Sequence, residues 1–257
     1  MEAERQIVAF GGGGFSMERG NPLLDEYVLG LARGERPRVC FLPTASGDAD
    51  HYIVRFYQAF PASRCEPSHV SLFRRETGAD DIHAHLLAQD LIYVGGGSVI
   101  SMLGAWRAHG LDRTLRSAWE GGTVLCGLSA GSLCWFDTGV AAFHGEPTAV
   151  HGLGLLPGSN SVHYDGERRR GCAYRRMLLD GMAPGFAAED GTGLHFVGER
   201  LDRVVSSRPG ARAYRMRCAN GRVTKSAIEA DYLGAEETLR PVAQAREAGR
   251  RPVVLAA

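Results

Sequence analysis

The sequence is short of lysine, of net charge and of long apolar runs. Lys225 is the only lysine among 29 basic residues, and 29 acidic residues balance them to a formal charge of zero. No global field therefore draws the chain to nucleic acid or to an anionic membrane, and neither is expected as a partner. The longest apolar runs, such as Leu91 to Val94, fall far short of the ~20 residues needed to span a bilayer. The opening residues, Met1-Glu2-Ala3-Glu4-Arg5, lack the basic-then-apolar layout of a signal peptide. A cytoplasmic location is the expectation.

Other absences narrow the chemistry. The six cysteines, Cys40, Cys65, Cys126, Cys134, Cys172 and Cys218, include no CxxC pair and no His/Cys cluster at zinc spacing. Free thiols, no metal and no cofactor are expected. Across the 257 residues there is no Pro/Ser-rich linker, low-complexity tract or solenoid-length repeat, which argues for one domain over 1–257.

What is present is glycine, 34 residues of it, placed after short apolar runs. Gln6 to Phe10 precedes Gly11-Gly12-Gly13-Gly14, and Val39 to Leu42 precedes Pro43-Thr44-Ala45-Ser46-Gly47. Leu91 to Val94 precedes Gly95-Gly96-Gly97-Ser98, and Thr123 to Cys126 precedes Gly127-Leu128-Ser129-Ala130-Gly131. Continuous apolar runs of this length suit strands buried on both faces of a parallel sheet. Amphipathic helices are expected between them, over Asn21 to Ala32, Ile53 to Phe60 and Val99 to His109. Strand and helix thus alternate, and the expected class is α/β with a mostly parallel sheet. The second half reads as further strands, at Gly185 to Ala188, Leu194 to Val197, Val204 to Ser206 and Ala213 to Arg217, joined by hairpins or turns; a terminal helix is expected within Ala235 to Ala248.

Ligands in open α/β sheets sit beyond the carboxyl ends of the strands, where all four glycine-rich turns fall. One of them, Gly127 to Gly131, fits G-x-S-x-G between a strand and an expected helix at Leu133-Cys134-Trp135-Phe136. A tight turn there lifts the serine hydroxyl out of the backbone, and the residue after it, Ala130, offers its N–H to an oxyanion. A serine needs a base, commonly a histidine held by a carboxylate. Of the histidines after Ser129 (His144, His151, His163 and His195), His163 stands out, because a polar, β-branched stretch from Ser159 leads into it. For the acid, Glu189-Asp190 sits at an expected strand end before Gly191, a pair that also reads as a turn opening a hairpin, while Asp137 and Glu146 lie nearer Ser129. Gly11 to Gly14 lacks both the dinucleotide fingerprint and the P-loop ending, so it reads as a tight turn bordering the site, with no nucleotide.

Gly95-Gly96-Gly97-Ser98, Gly127 to Gly131, His163-Tyr164 and Glu189 to Leu194, in that order, resemble the family of dipeptidase E (aspartyl dipeptidase) and cyanophycinase, over about Gln6 to Tyr214. The resemblance implies a three-layer sandwich similar to class I glutamine amidotransferases, with serine in place of their cysteine. It implies Ser129 as nucleophile, His163 as base, Asp190 as acid, and the N–H groups of Gly97 and Ala130 as the oxyanion hole of a serine peptidase acting on small peptides. The family's acid is often Glu, which keeps Glu189 in view; matching Gly191 to Leu194 without a gap favours Asp190.

Between base and acid lies the run Asp165-Gly166-Glu167-Arg168-Arg169-Arg170, with Arg175 and Arg176 beyond. It reads as a solvated helix face, and alternatively as a clamp for a substrate carboxylate. Two other functions compete with the peptidase. An α/β-hydrolase esterase would need a late histidine, and here His195 is the last, with about sixty residues after it. A binding protein could keep the same fold without catalysis. Substrate preference and whether the chain forms a homo-oligomer are not encoded in these motifs.

Overall fold

The computed structural model describes residues 4–73, 82–143 and 145–234. In chain order the first half forms β1 (Gln6–Phe10), α1 (Gly14–Met17), α2 (Leu23–Leu31), β2 (Arg38–Leu42), α3 (Asp50–Ala59), β3 (Glu66–His69), α4 (Ile82–Leu87) and β4 (Leu91–Val94). It continues through α5 (Val99–His109), α6 (Leu111–Glu120), β5 (Val124–Leu128) and α7 (Ala130–Leu133). The rest is mostly strand: β6 (Phe136–Ala141), β7 (Thr148–His151), β8 (Leu156–Ser161), α8 (Arg168–Leu179), β9 (Gly185–Ala188), β10 (Thr192–Val197), β11 (Arg200–Ser206), β12 (Ala213–Ala219), β13 (Arg222–Ile228) and β14 (Asp231–Tyr232). The terminal helix expected within Ala235 to Ala248 lies outside the described residues.

These strands make two sheets. The larger runs β14-β11-β10-β1-β5-β4-β2-β3, and it is parallel from β1 through β3. The smaller runs β13-β12-β9-β8-β6-β7. The chain is thus mixed α/β with two sheets and covering helices. The all-apolar runs sit where burial on both faces demands them. In β1, Ile7 and Ala9 point into one core while Val8 and Phe10 point into the other, and β2, β4 and β5 split in the same alternating way.

On one face α2 and α3 close a core of rings, with Phe15 at 5.1 Å from Tyr93 and 5.5 Å from Phe41 between centroids. On the other, Trp106 of α5, Trp119 of α6 and Trp135 are buried in the larger core with residues of the second sheet. Helix α5 starts where the Ser98 side chain accepts the Ser101 N–H at 3.2 Å, and stops at left-handed Gly110.

Two local expectations differ from what forms. The helix after Ser129 is a single turn, α7, and Phe136 already begins β6. Glu189-Asp190-Gly191 does not open a hairpin: β9 belongs to the smaller sheet and β10 to the larger, so this turn carries the chain from one sheet to the other. That crossing brings the end of β9 and the start of β10 beside Gly11-Gly12, at the carboxyl end of β1.

Candidate active site

Strand β5 is buried through Leu128, and α7 begins at Ala130. Ser129 is the one residue between them, at φ 53° and ψ −111°. Backbone there costs a non-glycine residue about 1–3 kcal/mol and persists only where the surroundings force it. Here they do. The Ser129 carbonyl accepts the N–H groups of Ser132 at 3.0 Å and Leu133 at 2.9 Å. Gly131 presses against the Val94 carbonyl at the end of β4, where any Cβ would overlap it. The turn leaves the Ser129 side chain lining a cleft of about 560 Å³ at the carboxyl end of the parallel strands.

His163 lines the same cleft. It follows β8, with φ 52°, and its N–H donates to the Gly11 carbonyl at 3.0 Å. Its Nδ1 lies 2.6 Å from Asp190 Oδ1, with the two side chains 15% and 19% exposed. A carboxylate oxygen accepts, so Nδ1 is the donor of this pair. Asp190 is held in turn: its N–H donates to Asp165 Oδ1 at 3.0 Å, and the next residue, Gly191, donates to the Gly12 carbonyl at 2.9 Å.

Glu189 faces the other way. Its Oε1 accepts the Tyr214 hydroxyl at 2.7 Å and its Oε2 accepts the Arg212 N–H at 2.9 Å. Asp137 accepts the Gly158 N–H at 2.9 Å, and Glu146 stands 3.9 Å from Arg169 on the surface. Neither lines the cleft.

Gly97 and Ala130 line the cleft together with Ser129. The Ala130 N–H opens a helix and so has no acceptor within it. The Gly97 N–H makes no hydrogen bond among the described residues. The loop that carries Gly97 is anchored on both sides, by Gly96 N–H to the Tyr52 hydroxyl at 3.0 Å and by Ser98 N–H to the Ala45 carbonyl at 2.8 Å.

The remaining histidines are placed elsewhere. His195 is buried in β10, with Nδ1 2.7 Å from the Tyr27 hydroxyl and Nε2 3.0 Å from Gln6 Oε1, and burial pushes its pKa down to about 4. Both ring nitrogens are engaged away from the cleft, which removes the late histidine that an esterase order would use. His151 is exposed on β7, and His144 lies outside the described residues. No group of three or more His, Cys, Asp or Glu among the described residues is arranged to hold a metal ion.

The arginine run is only partly a solvated face. Arg168, Arg169, Arg175 and Arg176 are exposed, whereas Arg170 is buried and lines the cleft. Its guanidinium donates to the Val162 carbonyl at 3.2 Å and pairs with Glu167 at 3.1 Å, while its Nε has no partner among the described residues. The signal was in the spacing: Arg170, Tyr174 and Leu178, four residues apart, form the buried stripe of α8. His51, Arg55 and Tyr52, also in the cleft, come from α3 and carry no comparable signal.

Fold and site together define a mixed α/β protein in which a serine on a strand-to-helix turn and a histidine bonded to an aspartate line one cleft. Residues 7–204 match the model of Peptidase family S51, and the chain belongs to that family, the one that includes dipeptidase E and cyanophycinase. It is 46% identical over 231 residues to a protein of Bacillus subtilis (strain 168) named Uncharacterized peptidase YgaJ, covering 90% of this chain and 100% of that one. With Peptidase E of Streptomyces coelicolor it shares 28% identity over 211 residues, 74% of this chain and 81% of the other. Among solved structures, a peptidase from an acI-B1 actinobacterium superposes with TM-score 0.66 at 17% identity, covering 89% of this chain and 97% of that one. A putative Peptidase E protein from Listeria monocytogenes EGD-e does so with TM-score 0.53 at 15% identity, covering 88% and 100%. At these identities the two structures speak for the fold. No helix among the described residues is long and apolar enough to cross a membrane.

Proposed function

We propose that the chain is a serine peptidase that cleaves short peptides through an acyl-enzyme on Ser129. The observation that carries this reading is the 2.6 Å contact between His163 Nδ1 and Asp190 Oδ1, on a histidine that shares the cleft with a serine held at positive φ.

In this reading Ser129 Oγ attacks the peptide carbonyl carbon as its proton passes to His163 Nε2. Asp190 fixes the tautomer and stabilises the imidazolium. The carbonyl oxygen gathers negative charge and rests on the N–H groups of Gly97 and Ala130, each such donor being worth about 10²–10³ in rate. His163 returns the proton to the leaving nitrogen as the C–N bond breaks. Water then attacks the acyl ester, gives its proton to His163, and the acid leaves as Ser129 recovers its hydrogen.

Substrate preference follows from Arg170. Arg170 lines the cleft, and although Glu167 pairs with its guanidinium, a cation there supports a dipeptidase E-like preference for Asp-X peptides. The architecture fits a three-layer sandwich similar to class I glutamine amidotransferases, with α2 and α3 on one side of the larger sheet and α5 and α6 on the other. All six cysteines are free, which suits a reducing, cytoplasmic setting.

The test is a dipeptide library assayed with wild type and Ser129→Ala side by side, with fluorophosphonate labelling of both. Hydrolysis and labelling are expected in the wild type alone. Undiminished hydrolysis by Ser129→Ala would end the proposal.

A further inference from the structure

A second cleft, of about 830 Å³, opens at the other end of the same strands. Strand β1 leads from Arg5, which lines it, to Gly11 beside His163, roughly 17 Å for five residues. Strands β8 and β9 likewise run from Gly158 and Gly185 at this cleft toward His163 and Asp190. The two clefts therefore lie on opposite edges of the sheets.

Arg5, Arg200, Arg215 and Arg217 line the second cleft, and Glu199 is the only carboxylate among its lining residues. Some arginines elsewhere pair with acids, as in Arg38 with Asp90, Arg203 with Asp202 and Arg208 with Glu18, and others stand singly; here four converge on one cleft. None of the four here has a carboxylate within ion-pair distance among the described residues. In a chain of zero formal charge, that leaves positive charge concentrated in one concave place.

The four are also placed rather than scattered. Arg215 and Arg217 are two apart on β12, so both project from one face of the smaller sheet. The Arg215 guanidinium sits 5.0 Å from the centre of the Phe186 ring, and that of Arg5 sits 4.8 Å from the Trp119 ring. These aromatic contacts orient the cations without neutralising them. The Arg5 carbonyl accepts the Gly198 N–H at 2.7 Å, which ties Arg5 to the turn that leads into Arg200.

We propose that this cleft is a binding site for a compact polyanion of the phosphate class, separate from the peptidase cleft. Each guanidinium presents a planar fork that takes two oxygens, and a chain of tetrahedral phosphates offers several such pairs at once. The volume suits a small molecule. Binding relieves the mutual repulsion of the four arginines, so it is strongest at low salt.

Isothermal titration of the full chain with sodium tripolyphosphate tests the site, with citrate as a polycarboxylate comparison. Tripolyphosphate is expected to bind more tightly than citrate, and to weaken by at least ~10-fold in Arg215→Ala/Arg217→Ala, with circular dichroism confirming an intact fold. Arg55→Ala, in the other cleft, is expected to leave that affinity unchanged. Absence of binding at low salt, equal affinity for citrate, indifference to the double substitution, or loss in Arg55→Ala would each overturn the assignment. The readout is independent of peptidase activity, so it stands or falls apart from the role of Ser129.

Discussion

His163 Nδ1 and Asp190 Oδ1 meet at 2.6 Å although they come from turns on different strands, and Gly12 makes that meeting possible. A Cβ on Gly12 would lie 2.9 Å from His163 Cε1 and would overlap the Asp190 carboxylate. The glycine cluster after β1 thus keeps the backbone low under the pair.

Gly12→Ala is therefore expected to separate histidine from carboxylate. Overpacking of this kind costs about 1–3 kcal/mol of stability. Peptidase kcat should fall further than that loss explains, and the imidazole Nδ1 proton signal in NMR should shift or broaden. An unchanged kcat would show that the pair tolerates displacement.

The two neighbouring acids should behave differently. Asp190→Asn removes the negative charge and lets an amide N–H face Nδ1, which favours the wrong tautomer, and kcat is expected to fall by about 10²–10⁴. Glu189→Gln keeps an oxygen for the Tyr214 hydroxyl and should cost less than ~10-fold, through stability alone. Equal losses would reassign the acid.

Arg170→Lys preserves charge but loses the planar fork. KM for Asp-X dipeptides should rise by about 10-fold or more, since a charged hydrogen bond is worth about 1.5–3 kcal/mol. Values for Ala-X should change little. A uniform rise for both would make Arg170 a structural residue.

Two buried groups give opposite pH signatures. His195 has its pKa pushed down by burial from 6.5 to about 4, so the unfolded chain binds the extra proton and stability is lost as pH falls through that window. Burial raises Asp25 from 3.8 to about 7, with the nearby Tyr93 hydroxyl opposing, so the folded state binds the extra proton and stability is lost as pH rises between those values. Each shift corresponds to on the order of 3–4 kcal/mol, and from about pH 4 to 6.5 the two slopes cancel. Asp25→Asn should therefore unmask stability that climbs with pH across this range, and His195→Gln stability that declines. Urea unfolding at several pH values reads both; parallel curves for wild type and variants would refute the assignment.

The sequence by itself determined the strands β1, β2, β4 and β5, because a strand covered on both faces must be apolar at every position, and such runs are hard to mistake. It also located the Ser129 turn, since only small residues fit where a strand turns abruptly into a helix against a neighbouring carbonyl. Tertiary structure decided the rest. Adjacent residues on an extended chain diverge, so only one of Glu189 and Asp190 could face His163, and which one depended on β9 and β10 joining different sheets. A hairpin between them, which the Asp-Gly pair suggests locally, would have been a different turn in a different place. Arg170 could not be singled out within its run for a related reason: a run of like charges reads first as solvated, and the burial of this one residue comes from the packing of α8 on the second sheet. Local rules govern how each segment is shaped, but the distance from His163 to Asp190 spans two sheets and is set only when both are assembled.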